Sequence, residues 1–355
     1  MFFGLFKTVL NDVIGIDLGS HSVKAIAISR VGLNYRVDAI AEALLPKGLI
    51  VDNHLQDINK ISLILKQLLQ AFPANYKKAA IAVTGTDVIT KIMMMNATLD
   101  ELTLERQIEI EAENSIPFSL NEVFIDFEVL GSNDNDPSLN KVLVSAARKE
   151  QVLSQVQCIN ESGLTTTIVD IASHALIRAA KLTLSPEDYN KGIVVVDLGA
   201  SQMTVNILHQ DSIIFNRSKS YGGESCTQMI VERYGYTFHE AESLKFTRQY
   251  PVDCEREVLD LFINKSLEHF RSALCMFTNS VNHITVDKVI LSGGGLLMPE
   301  LLEKFRLELD LNIVVAQPYT DFEFRREADR ALLQQCGSKY MIALGLALRG
   351  AEPCL

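Results

Sequence analysis

The sequence predicts an α/β protein of two related lobes, with an α+β block inserted into the first. Three observations predict it. The segment VIGIDLGSHSVKAIAIS at 13–29 recurs as IVVVDLGASQMTVNIL at 193–208, with Asp17 and Asp197 in the same place. Each copy alternates apolar and polar residues through β-branched positions and runs into a further strand, as a three-stranded antiparallel meander requires. The stretch from 78 to 164 has no counterpart after Asp197, which marks it as an insertion into a duplicated framework.

In the first copy the strands break at Gly19-Ser20 and at Gly32-Leu33-Asn34, residue types that suit tight turns. From Leu55 to Phe72 the spacing becomes helical, with Ile58, Ile61, Leu65, Leu68 and Leu69 on one face. The inserted block reads as strands at 79–83, 89–95, 123–130 and 141–147 and helices near 101–114 and 149–161. Its polar loop from Gly131 to Ser138 is expected to be mobile. After the second meander come a long amphipathic helical run from Glu255 to Asn282, the strand VDKVILSG, the turn Gly293-Gly294-Gly295 and a helix from Pro299. A helix rich in small residues, SKYMIALGLALRG, closes the chain. The expected domains are a first-lobe core at 1–77 and 165–190, the insert at 78–164 and a second lobe at 191–355.

Composition removes several functions. The 355 residues suit two medium domains, each with its own core. A formal charge of −11 repels a phosphate backbone, and no basic stripe with interleaved aromatics offsets it, so nucleic acid is not expected as a partner. The six cysteines form no C-x-x-C pair and are read as reduced, mostly structural thiols. No apolar run reaches the roughly 18 residues of a membrane span, and Met1 to Leu10 is too short for a signal peptide. A soluble, cytoplasmic protein is expected, with MFFGLFK packing on its own lobe rather than anchoring in a membrane.

The duplicated turn is where chemistry is expected. A strand ending in Asp, then Gly and a small residue, then a second strand, makes a hairpin whose backbone N–H groups can cradle phosphate oxygens. Gly19 and Gly199 allow the close approach, with Ser20, Ala200 and Ser201 beside them. Aspartates at the strand ends suit Mg²⁺, which is held by one or two carboxylates, substrate phosphate and water. Two facing copies can therefore hold Mg-ATP, with Asp17 and Asp197 toward the metal and Lys24 aimed at a phosphate. One such hairpin alone would be an ordinary β-turn; two in register are not. Gly293, Gly294 and Gly295, after a strand and before a helix, let backbone approach a base or sugar.

In their order along the chain, D-L-G-S at 17–20, D-L-G-A at 197–200 and S-G-G-G at 292–295 resemble the phosphate-1, phosphate-2 and adenosine motifs of the actin, Hsp70 and sugar-kinase superfamily. The fold this implies is actin-like (ribonuclease H-like), with helices around Ala172–Ala180 and Ala343–Ala347 connecting the lobes. Within it the chain resembles the PilM family of type IV pilus assembly, itself similar to the cell-division protein FtsA. The likeness lies in the leader GLFK, VDIASHALIRAA, YGGESCTQMI with AESLKF, and the position of the insert. The resemblance implies that Gly222, Gly223 and Glu224 lie near the nucleotide and that Lys245 reaches the adenosine. It also implies a partner, the cytoplasmic N-terminal peptide of PilN, held between the first-lobe core and the insert. The strand Ile89 to Met95, with Met93, Met94 and Met95, is the apolar candidate for that contact. Through PilN the chain would join the inner-membrane platform.

Where relatives place a further acidic or polar group after Asp170, this chain has Ile171, Ala172 and Ser173, so efficient hydrolysis is not expected. FtsA-like proteins end in an amphipathic membrane helix; this chain stops soon after the second connecting helix, so membrane attachment is expected through a partner. The leading expectation is an ATP-binding scaffold. A small-molecule kinase would need a carboxylate base facing a substrate pocket, and a polymerising filament would need complementary lobe surfaces.

Overall fold

The computed structural model describes residues 12–85, 87–133, 136–281 and 284–351, with the side chain of Phe246 excepted. The apolar leader and the last four residues lie outside this range. The first lobe opens with the expected meander, β1 (Val13–Leu18), β2 (Ser22–Val31) and β3 (Asn34–Leu44), followed by a two-residue hairpin of β4 (Ile50–Val51) and β5 (His54–Leu55). Helix α1 (Ile58–Leu68) starts where Asp57 accepts the Lys60 N–H at 3.0 Å, and it buries Ile61, Leu65 and Leu68 against the sheet. Strand β6 (Lys78–Val83) leads to the insert, built of β7 (Val88–Asn96), α2 (Glu101–Ser115), β8 (Val123–Ser132) and β9 (Leu139–Arg148). The chain returns through α3 (Lys149–Glu161), β10 (Thr165–Ile171) and α4 (Ala172–Lys181).

The second lobe repeats the plan with β11 (Gly192–Leu198), β12 (Met203–His209) and β13 (Ser212–Lys219). Helices α5 (Gly223–Tyr234), α6 (Phe238–Thr247) and α7 (Asp260–Ser280) follow, the last entered through a π turn at Glu255–Leu259. Then come β14 (Val286–Ser292), α8 (Pro299–Glu308) and β15 (Asn312–Val315), and finally β16 (Glu323–Phe324), α9 (Glu327–Cys336) and α10 (Met341–Ala351).

The first sheet runs β10-β6-β1-β2-β3-β16 and the second β13-β12-β11-β14-β15. The meander β1-β2-β3 thus matches β11-β12-β13, and the parallel strands β6 and β10 match β14 and β15. This corrects the expected boundary at 78. Strand 78–83 pairs with β1 and β10, and α3 buries Cys158 and Ile159 with Ile61 and Leu65 of α1, so both belong to the first-lobe core. The insert proper is the three-stranded sheet β7-β9-β8 with α2, a pattern of apolar runs that gives no sign of which sheet a strand joins. The C-terminal boundary is corrected too, because β16 pairs with β3 and α10 packs on β1.

Helices α4 and α10 fill the space between the sheets. One core cluster joins Ile26, Val37 and Ile40 of the first sheet to Val195 and Ile290 of the second through Leu176, Ala343 and Ala347. Small residues make the crossing possible. A Cβ on Gly345 would sit 1.7 Å from the Ala175 carbonyl, and one on Gly15 would sit 2.1 Å from that of Ala343. The duplicated sheets are therefore held on either side of a helix pair that is itself in backbone contact, and their two Asp-Leu-Gly turns face each other at one end.

Candidate functional site

Asp17 and Asp197 end the central strands β1 and β11, where the antiparallel register puts Lys24 opposite Asp17 and Thr204 opposite Asp197. Lys24 Nζ lies 3.6 Å from Asp17 Oδ2, and Asp17 is 18% exposed. Ser292, at the end of β14, donates its hydroxyl to Asp197 Oδ1 at 2.9 Å. Burial raises the Asp17 carboxyl above its ordinary value against the pull of Lys24. Burial, with the charge of Asp17 added, pushes Asp197 up to about 6 although the Ser292 hydrogen bond opposes it. Two carboxylates whose charges disfavour each other in a shielded floor are a pair that a cation would satisfy. Among the described residues no cluster of three or more His, Cys, Asp or Glu could hold a metal, so phosphate and water would have to complete any coordination.

The turns themselves touch. Ser20 Oγ lies 3.1 Å from Ser201 Oγ, and the Ser20 hydroxyl donates to Glu224 Oε1 at 3.0 Å, so the lobes meet directly above the carboxylates. Around them runs a cleft of about 1290 Å³ including its mouth, lined by Asp17, Gly19, Ser20, Lys24, Asp197, Gly199, Ala200, Ser201, Gly293 and Gly294. Gly293 has φ +97°, and a Cβ on it would fall 2.3 Å from the Leu198 carbonyl. Only glycine lets this loop lie across the end of β11.

Gly222, Gly223, Glu224, Lys245 and Gly295 stand outside that lining. Gly222 and Gly223 back the second turn: a Cβ on Gly222 would meet the Ala200 carbonyl at 2.4 Å, while the Gly223 and Glu224 N–H groups donate to the Gly199 and Ala200 carbonyls at 3.0 and 2.8 Å. The first N–H groups of α5 thus fix the turn. Lys245 Nζ donates to the Gly223 carbonyl, Thr227 Oγ1 and Glu242 Oε1 at 2.8–2.9 Å, which braces α6 on α5. Gly295 packs against the Leu198 side chain.

The structure adds residues that the sequence reading passed over. Glu42 of β3 lies opposite Lys24 and forms an ion pair with Lys339, which lines the cleft just before α10. Burial alone would raise the Glu42 carboxyl; Lys339, Ser22 and Lys24 overcome it and hold it below its ordinary value. Asp17, Lys24, Glu42 and Lys339 form an alternating row of charge, and the neighbouring Ser338 carbonyl accepts the Gly293 N–H at 2.9 Å. Charged residues aligned on otherwise apolar strands were the available signal.

The methionines divide by strand alternation. Met93 and Met95, expected at a partner surface, are 8% and 2% exposed in the insert core with Leu104, Ile108, Val142 and Val144, and Ile89 is half-buried near Ala112 and Ile116. Met94 alone of the four faces outward, 48% exposed.

Over residues 15–351 the sequence matches the family of the type IV pilus assembly protein PilM. The chain belongs to the PilM family. A solved PilM-PilN type IV pilus biogenesis complex shares its fold with a TM-score of 0.80 and 24% identity, over 96% of this chain and 99% of that one. The ethanolamine utilization protein EutJ of Carboxydothermus hydrogenoformans has a TM-score of 0.56 at 15% identity, covering 94% and 88%. The cell division protein FtsA of Enterococcus hirae is 24% identical over 358 residues, 86% of this chain and 78% of FtsA. The fold of this PilM-family chain is actin-like, as its three glycine motifs implied.

Proposed function

We propose that this PilM-family chain is an ATP-binding scaffold of type IV pilus assembly, in which Mg-ATP between the lobes sets a cleft that grips the cytoplasmic N-terminal tail of a PilN-type partner. The observation that carries the reading is the meeting of the two Asp-Leu-Gly turns over the Asp17 and Asp197 carboxylates. Asp17 and Asp197 would hold Mg²⁺, directly or through water. The turn amides at 19–20 and 199–201 with Lys24 would hold the phosphates, and Gly293 and Gly294 would face the nucleoside. Bound Mg-ATP supplies the charge that both turns recognise, and the protein's part is to couple closure of the turns to the groove beside the insert.

A specific observation favours scaffold over kinase. Asp170, at the end of β10, is held by Arg178 Nη1 at 2.8 Å and by the Ile171 N–H at 2.7 Å, so it is engaged structurally rather than poised as a base. Among the described residues no helix is long and apolar enough to cross a membrane. We place the protein in the cytoplasm, peripheral at the inner membrane through its partner.

Mg-ATP at a hundredfold over its Kd should stabilise the chain by about 2.7 kcal/mol through mass action. Asp197→Ala should abolish the thermal shift. A wild-type chain that shows no shift at millimolar Mg-ATP would refute the nucleotide site.

A further inference from the structure

The segment from Leu45 to Leu55, which contains the β4-β5 hairpin, touches three parts of the molecule. Near one end the Lys47 ammonium stands 3.7 Å from the centroid of the Phe238 ring, at the first residue of α6, so the segment reaches across to the second lobe. The Leu45 N–H donates to the His21 carbonyl at 2.8 Å, which ties the segment to the first Asp-Leu-Gly turn. Near the other end His54 Nε2 lies 3.0 Å from Asp87 Oδ2, and Asp87 Oδ1 lies 3.3 Å from Arg148 Nε. Asp87 and Arg148 stand where the chain enters and leaves the insert, just before β7 and at the end of β9. There the Arg148 N–H donates to the Asp87 carbonyl at 3.0 Å and closes the insert's root.

The segment is built to move as one piece. Leu49 and Ile50 are buried in the first-lobe core and form its seat, while Lys47 and Gly48 on one side of them are exposed. On the other side the turn Asp52-Asn53 has φ of +47° and +66°, both positive as the tight two-residue hairpin turn requires. A Cβ on Gly85 would fall 2.5 Å from Asn53 Nδ2, so the hairpin tip lies against the backbone just after β6. Stiff elements and hydrogen-bonded chains carry a displacement from one site to another. A shift at Lys47 is therefore felt at Asn53 and His54.

We infer that Leu45–Leu55 is a lever between the second lobe and the insert: closure of the cleft brings Phe238 against Lys47, and the hairpin, pivoting on Leu49 and Ile50, holds Asn53 and His54 on the insert's root and tightens it. The inference rests on the proposed closure by Mg-ATP and names the element that transmits it, but its first test needs neither nucleotide nor partner. The contact of Ser20 with Glu224 also spans the lobes, yet it bears on the turn itself, whereas the Lys47 contact bears on a segment that continues to Asp87. A cation over an aromatic ring at an exposed site shifts an equilibrium by about threefold, weak enough to form and break as the lobes move.

Hydrogen exchange of the full chain, read on overlapping peptides that isolate the Arg148 amide, tests the lever. In the free protein Lys47→Ala and Phe238→Leu should each speed exchange of that amide about threefold, and the two together no more than either alone, because both cut one contact. Amides of β11 and β14 should keep their wild-type rates, which separates loosening of the root from loosening of the fold. Lys47→Arg keeps a cation over the ring and should match wild type. His54→Ala should speed the Arg148 amide and make it indifferent to Lys47→Ala. Saturating Mg-ATP should slow the wild-type amide about threefold further, and His54→Ala should lose that slowing while binding Mg-ATP with unchanged affinity. Equal Arg148 exchange in wild type, Lys47→Ala and Phe238→Leu, or a wild-type amide unmoved by bound Mg-ATP, would overturn the lever. A wild-type chain that binds no Mg-ATP would instead overturn the proposed function, and the free-protein rates would still decide the lever.

Discussion

Ser20, at the tip of the first Asp-Leu-Gly turn, donates its hydroxyl to Glu224 at the start of α5, 3.0 Å away across the mouth of the cleft. The contact joins the two lobes beside the one between Ser20 and Ser201, and it lies on the route a nucleotide would take between the turns. A hydrogen bond to a charged group contributes about 1.5–3 kcal/mol. Glu224→Ala should therefore speed release of bound Mg-nucleotide by roughly tenfold, seen as the off-rate of a fluorescent ATP analogue. An unchanged off-rate would show that the contact does not gate the cleft.

Helices α4 and α10 cross through Gly345, where a Cβ would fall 1.7 Å from the Ala175 carbonyl. No rotamer relieves a clash between a Cβ and backbone, so the helices must part. Gly345→Ala should cost about 3 kcal/mol or more in urea denaturation, with Gly32→Ala as the comparison at an open position that also has φ +62°.

The raised Asp197 carboxyl makes stability depend on pH. In the folded chain it holds its proton up to about pH 6, against 3.8 for an ordinary aspartate, so between these values the folded state binds more protons than the unfolded one. Its contribution is most favourable below about pH 4, falls as pH rises through about 6 and stays low above it, a span of roughly 3 kcal/mol. Without nucleotide or metal, denaturation of Asp197→Asn should show less of this fall. The stability difference from wild type should move in favour of the variant between pH 4 and 6 and then level off.

Lys339 and Glu42 are 14% and 22% exposed, so removing one leaves the other a poorly solvated charge. Lys339→Met should destabilise the protein by roughly 3 kcal/mol. Adding Glu42→Gln should recover part of that, and simple additivity of the two in a double-mutant cycle would contradict the pairing.

The insert offers a check on the methionine assignments. Met93→Lys places a charge in the core formed with Ile108 and Val142 and should unfold the insert, exposing it to limited proteolysis, whereas Met94→Lys sits on the outer face and should leave the digestion pattern unchanged.

Much of this architecture can be read in the chain because duplication makes local signals repeat. The Asp17 and Asp197 hairpins were recognisable as a pair, and the resemblance put the helices around Ala172–Ala180 and Ala343–Ala347 between the lobes. What escaped was set by contacts distant in sequence. Strand β6 looks like the start of the insert until its pairing with β1 and β10 is seen, for a strand's own residues do not say which sheet it joins. Lys339 meets Glu42, Ser292 meets Asp197 and Gln151 meets Thr84 across long separations, and no periodicity predicts those meetings. Three methionines in a row suggested one surface, but a strand turns alternate side chains to opposite faces and buried two of them.

If the nucleotide cleft and the groove beside the insert are coupled, each ligand must by reciprocity change the other's affinity by the same factor. The direct measurement is the Kd of the PilN N-terminal tail for the full chain with and without saturating Mg-ATP, repeated on Asp197→Ala. We predict tail binding at least fivefold tighter with Mg-ATP, and no such gain in Asp197→Ala. Equal tail affinity with and without nucleotide, in a chain shown to bind both, would contradict the account.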